Sequence, residues 1–177
     1  MNEQAIRELV AWMKIILLTA LIILVFRQFL FEPVSVHGRS MMPTFEEDDK
    51  VLLVKISPIE NFDLIVFKAP EGKNFIKRVI GIPGDRLKME EDQLYLNGRK
   101  VKEPYLKENR EWAKEQGYPQ LTTEFGEFKV PTGYYFVLGD NRLNSVDSRT
   151  IGFIRRDAVL GEVKYRISPL RHFGRVE

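Results

Sequence analysis

Leu94-Tyr95-Leu96-Asn97-Gly98-Arg99-Lys100-Val101 carries the clearest local signal in the chain. Asn97-Gly98 supplies the two positive-φ residues of a type I′ turn, whose twist suits two antiparallel strands, so 94–101 reads as a β-hairpin. Working outward, Val34-Ser35-Val36, Val51 to Ile56, Leu64 to Lys68 and Phe75 to Ile82 precede it as short runs of β-branched or aromatic residues. Tyr134 to Leu138 and Val159 to Ile167 follow it. Turn residues separate these runs, the pattern of a mainly β domain. Between Glu103 and Lys129 the chain becomes charged and irregular, with a weak helical stretch around Tyr105 to Gln116. That segment is expected to be a surface excursion rather than a second core.

The 177 residues allow one main domain plus an appendage, and 44% hydrophobic content is enough for a packed core. With 27 Lys+Arg against 25 Asp+Glu, the net charge of +2 is too small for a dedicated nucleic-acid binder. The absence of cysteine removes disulfides, thiol chemistry and Cys-based zinc sites. His37 and His172 are the only histidines, so a multi-histidine metal centre is not expected, and no cofactor is expected either.

Leu9 to Phe31 is apolar apart from Lys14, Arg27 and Gln28. Its uncharged centre, Ile15 to Phe26, is only 12 residues long, which suits a buried helix as well as a span. Lys14 and Arg27 stand at its ends, where long stems carry charge to an interface. With their apolar flanks the segment reaches roughly 30 Å as a helix, a bilayer's thickness. No Ala-x-Ala cleavage site occurs, so a retained single-pass anchor over 1–31 is expected, with 32–177 as the folded domain. Arginines and lysines on both sides leave its orientation open.

Three clusters hold candidate chemistry. Ser40 follows the glycine turn at Gly38 and precedes Met41-Met42-Pro43-Thr44. A serine in such a place is ordinarily a turn residue; as a nucleophile it needs a base. Lysine serves as base only where burial lowers its pKa. In a strand over Phe75-Ile76-Lys77-Arg78-Val79-Ile80-Gly81, Lys77 shares a face with Phe75 and Val79, while Arg78 points the other way. The third cluster, Gly139 to Arg149, packs two aspartates, two arginines and two serines into 11 residues. Such a loop can pair internally and orient a neighbouring group.

Taken in order behind an apolar segment, SMMPT at 40–44, FIKRVIGIPGD at 75–85 and GDNRLNSVDSR at 139–149 resemble the sequence boxes of type I signal peptidases. The short, single-anchor Gram-positive form is the nearest in layout. The resemblance implies a signal-peptidase-type β domain of coiled antiparallel sheets behind one transmembrane helix. It also implies a plasma-membrane location, with the N-terminus cytoplasmic and the catalytic domain outside. Ser40 would be the nucleophile and Lys77 the general base. Ser145 would hydrogen-bond the Lys77 amine, Asp147 and Arg149 would brace the same loop, and Arg78 would pair with Asp140. Gly38 stands where some relatives carry a hydroxyl donor, leaving the Ser40 N–H and a backbone group or water for the oxyanion.

The implied substrates are signal peptides of exported preproteins, cut after a small residue with another small residue two positions upstream. Met41, Phe45 and Ile76 would line the −1 pocket, and Val34, Val36 and Val51 the −3 pocket. The lipid bilayer is the other expected partner; no nucleic acid or metal is. Two further readings differ in class. A self-cleaving Ser/Lys regulator of the repressor type would need an Ala-Gly site, and no alanine here precedes glycine. A silent membrane-tethered binding protein would need Ser40 or Lys77 replaced.

Overall fold

The computed structural model describes residues 3–176, with the side chains of residue 5 and residues 25–29 outside the description. A long helix, α1 (Glu3–Phe29), runs directly into strand β1 (Phe31–Ser35). Its described apolar side chains, from Leu9 to Leu24, are largely exposed. Among the described residues no helix is long and apolar enough to cross a membrane. Arg27, read above as one end of the apolar segment, lies outside the described side chains.

Strands β2 (Lys50–Val54), β3 (Leu64–Lys68), β4 (Asn74–Gly81), β5 (Arg86–Glu90), β6 (Gln93–Leu96) and β7 (Arg99–Lys100) come next. A helix, α2 (Lys107–Glu115), then precedes β8 (Phe125–Lys129) and β9 (Tyr134–Leu138). A single turn, α3 (Ser148–Ile151), leads to β10 (Ile154–Arg155), β11 (Val159–Ser168) and β12 (Gly174–Arg175). The larger sheet has the order β1-β2-β11-β3-β4-β9-β10, with β12 on β11; the smaller is β7-β6-β5-β8. Every pairing is antiparallel.

The expected hairpin is present, with Asn97 and Gly98 at φ 52° and 76° and Leu96 opposite Arg99. Asn97 also helps join the sheets. Its side-chain amide donates to the Asp85 carboxylate at 2.8 Å, which accepts from Asn61 Nδ2 and the Ile82 N–H as well. β5 has no β-branched residue and was not expected. Its alternation nevertheless buries Leu87 and Met89 against Leu94 and Phe136, a period-two pattern carried by non-β-formers.

Residues 103–129 are more than a surface excursion. They contribute β8 to the smaller sheet and a small core of Leu106, Ala113 and Leu121. They also bury Glu103, whose side chain pairs with Arg142 at 2.6 Å, both wholly inaccessible. A buried charge is tolerable only with a partner, and this one is 39 residues away in the chain.

β4 decides where the chemistry lies. It runs between β3 and β9, and Ile76 to Gly81 are all buried, so side chains on both its faces enter the interior. A strand covered on both sides buries Lys77 and Arg78, at 3% and 1% exposure.

Candidate active site

Lys77 is 3% exposed, and its Nζ donates to Ser40 Oγ at 2.7 Å and to the Ile76 carbonyl at 3.0 Å. The Phe75 ring lies 5.0 Å from the amine, on the face anticipated from strand alternation. Burial lowers the Lys77 pKa to about 8, against an opposing pull from the Asp147 and Asp140 carboxylates. The amine is thus poised to be neutral in mildly alkaline solution, and its hydrogen-bond partner is a serine hydroxyl.

The turn carrying Ser40 is held by the 139–149 loop. The Asn141 N–H donates to the Ser40 carbonyl at 3.0 Å, and the Asn141 side chain donates to the Arg39 carbonyl at 3.0 Å. The Thr44 hydroxyl donates to Asp140 at 2.5 Å. Asp140 in turn receives two bonds from the Arg78 guanidinium, at 2.9 and 2.8 Å, deep in the protein. Gly139 makes this approach possible: a Cβ there would stand 2.5 Å from the Ser40 carbonyl oxygen and against the Ser145 hydroxyl.

Asp147 and Arg149 pair bidentately at 2.8 Å, and Asp147 also accepts from the Gly139 N–H at 3.0 Å. Burial acts to raise the Asp147 pKa, but Arg149 and the amide outweigh it and hold the carboxyl below its usual range. Ser145 departs from expectation. Its hydroxyl is buried with no hydrogen-bond partner, while the Lys77 amine bonds Ser40 and the Ile76 carbonyl. It lies close enough to Asp147 to favour the ionised carboxylate without reaching bonding geometry.

A cavity of about 240 Å³ opens at the pair, lined by Val36, Ser40, Met41, Ile76, Lys77, Asn144 and Val146 among others. A second, of about 590 Å³, adjoins it and reaches Val34 and Val66. Residues 143–146 form a wall: Asn144 and Val146 face the Ser40 cavity, and Leu143 and Ser145 line a separate cavity of about 560 Å³ behind it. Of the six expected pocket residues, Met41, Ile76, Val36 and Val34 line the two front cavities. Phe45 and Val51 do not; both are fully buried in the core cluster behind, so they can only shape the pockets from within. His37 lines both front cavities but bonds to neither Ser40 nor Lys77, and His172 lies beside Arg166.

Residues 9–168 match the family described as signal peptidase, peptidase S26. The chain belongs to that family. This signal peptidase is 42% identical over 164 residues to signal peptidase I T of Bacillus subtilis (strain 168), covering 89% of this chain and 84% of that one. Signal peptidase I S of the same organism is 40% identical over 173 residues, covering 95% and 94%. The solved structure of a signal peptidase I from Enterococcus faecalis V583 aligns at a TM-score of 0.56 with 36% identity, covering 60% of this chain and 97% of that chain. The chain is accordingly an enzyme, a protease of the signal-peptidase kind with a mainly β fold.

Asn109, Glu103 and Thr122 carry no signal in the sequence. Arg142 falls within the third box with no role implied by the resemblance, yet its guanidinium binds Glu103, Thr122 Oγ1 and the Gly139 carbonyl. No local pattern marks these residues; each is defined by a partner distant in sequence.

Proposed function

We propose that the chain is a membrane-anchored Ser/Lys endopeptidase that cuts signal peptides from preproteins after a small residue. The observation that carries this reading is the 2.7 Å contact between a buried, pKa-lowered lysine and Ser40 Oγ. Neutral Lys77 takes the Ser40 proton as Oγ attacks the carbonyl carbon of the −1 residue. The tetrahedral oxyanion is met by the Ser40 N–H, with a backbone group or water as second donor because Gly38 has no side chain. The C–N bond then breaks, and the Lys77 ammonium protonates the departing amine. Lys77 next deprotonates a water that attacks the acyl-serine, and Ser40 regains its proton as the signal peptide leaves with a new carboxylate. Ser145, unpaired at rest, orients the amine once it turns from Ser40. Asp147 with Arg149, and Arg78 with Asp140, brace that arrangement.

The substrate lies extended in the two front cavities. Met41 and Ile76, backed by Phe45, restrict the −1 side chain; Val34 and Val36, backed by Val51, restrict the −3 side chain. Shallow apolar pockets reject large residues by clash more than they reward small ones. Residues 1–31 form the anchor and 32–177 the catalytic domain, with the N-terminus cytoplasmic. The exposed apolar side chains of α1 support the anchor. The test incubates the detergent-solubilised protein with a preprotein bearing Ala-x-Ala and sequences the new N-terminus. Cleavage after the second alanine, absent in Ser40→Ala, is the expected result; cleavage elsewhere, or by Ser40→Ala, overturns the reading.

A further inference from the structure

Asn109 lies on α2, outside all three sequence boxes, yet its side-chain amide reaches two of them. Nδ2 donates to the Met42 carbonyl at 2.9 Å and to the Asp140 carbonyl at 2.8 Å. Met42 is two residues past Ser40 on the same turn. Asp140 contributes the carbonyl of the peptide unit whose other end, the Asn141 N–H, grips the Ser40 carbonyl at 3.0 Å. A peptide unit is planar and rigid, so fixing its oxygen fixes the direction of its N–H. One amide therefore clamps the Ser40 turn twice, directly through Met42 and indirectly through the 140–141 peptide.

Asn109 is itself held in place. The segment leading into α2 is fastened to the interior by Glu103, which binds the wholly buried Arg142 at 2.6 Å and accepts from Tyr105 at 2.8 Å. The Arg78 guanidinium carbon sits over the Tyr105 ring, 3.9 Å from the ring centre. The Arg142 N–H also donates to the Asp140 carbonyl, at 3.0 Å, so that oxygen is fixed by two donors from different elements.

We propose that Asn109 is a positioning residue for the peptidase reaction, setting the Ser40 turn against the 139–149 loop so that Oγ stays in line with Lys77. The inference rests on the Ser40/Lys77 reading above. Asn109 is not among the residues lining the cavities around Ser40, and its own charge is nil. Its loss should therefore slow the chemical step while sparing substrate binding and the Lys77 titration. Misplacement of reacting groups by about 1 Å costs on the order of 100-fold in rate.

The test compares the detergent-solubilised full chain with Asn109→Leu, Asn109→Gln and Ser40→Ala on a preprotein bearing Ala-x-Ala. Leucine keeps the volume and removes the donor; glutamine keeps the donor on a longer stem. The expected result is a fall in kcat of about 10- to 100-fold for Asn109→Leu, with KM within about twofold. The acidic limb of the pH profile should stay in place, and Asn109→Gln should recover part of the rate. A kcat for Asn109→Leu within twofold of the parent, with Ser40→Ala inactive, overturns the positioning role and leaves the nucleophile standing. Equal losses in the Leu and Gln variants with a lowered thermal midpoint in both overturn it too, marking Asn109 as structural. Activity in Ser40→Ala instead overturns the reading on which the inference rests.

Discussion

Replacing Lys77 by methionine should stabilise the protein more at pH 6.5 than at pH 10. In the folded state the amine titrates at about 8, against 10.5 for a free lysine, because burial penalises its charged form. Between those values the unfolded chain binds more protons than the folded one, so stability rises with pH across that window. Below about pH 8 the lysine is charged in both states and the full penalty of burying it is present; by about pH 10.5 it has largely gone. The difference between pH 6.5 and pH 10 amounts to about 2–3 kcal/mol. Methionine also forfeits the bonds to Ser40 Oγ and the Ile76 carbonyl, at about 1 kcal/mol each, an offset that varies little with pH. Denaturant unfolding of variant and parent in detergent, followed by the near-ultraviolet circular dichroism of the stacked Trp112–Tyr118 pair, measures both curves. Subtracting them cancels the other titrating groups. Parallel curves from pH 6.5 to pH 10 would refute the claim that burial depresses this lysine.

Ser40→Ala and Lys77→Ala should each abolish cleavage of an Ala-x-Ala preprotein, with the double variant little worse than either, since the pair acts as a unit. Lys77→Arg should be equally inactive, because a guanidinium stays protonated; a gel-based cleavage assay decides both. The kcat/KM profile of the parent should rise with pH through about 8, where the neutral amine becomes populated. A profile flat from pH 6 to 10 would remove Lys77 as the base. Glu103→Ala should lower stability by about 3–5 kcal/mol, read from denaturant midpoints, since it strands the inaccessible Arg142.

How much was legible in the sequence follows from the range of each interaction. β3 and β4 are legible to within a residue or so because each run carries its own β-branched and aromatic residues. Period-two alternation put Phe75 beside Lys77 and Arg78 on the opposite face, and both relations are local. β5 escaped because Leu87 and Met89 alternate with charges that suit a helix equally well. Glu103 and Asn109 were unreadable for a different reason. A glutamate and an asparagine in a charged stretch look solvated until the fold delivers Arg142 and the Met42 and Asp140 carbonyls. Ser145 shows the converse: the resemblance implies a bond to Lys77, and in this structure the amine bonds Ser40 and Ile76 while the Ser145 hydroxyl is unpaired.

Two guanidiniums, Arg149 in the third box and Arg78 in the second, govern how strongly the neighbouring carboxylates act on Lys77. Asp147 and Asp140 both act to raise the Lys77 pKa, and unopposed they would work against the burial that lowers it. Each is matched by a guanidinium, Asp147 by Arg149 and Asp140 by Arg78, at 2.8 Å in both pairs. The pairs therefore present near-neutral dipoles to the amine, and desolvation wins. Arg149→Gln should break that balance. Asp147 would still accept from the Gly139 N–H and the residue 149 N–H, so its carboxylate stays ionised near neutrality. With the guanidinium gone, its field on Lys77 strengthens and the amine holds its proton to higher pH. The acidic limb of the kcat/KM profile should move up by about 0.5–1 pH unit, whatever the variant loses in overall rate. The position of the limb is the readout, because a fall in rate alone would also follow from a loosened α3. A limb that stays in place or moves to lower pH would show that Arg149 is only a brace for the loop and that the low lysine pKa owes nothing to charge cancellation.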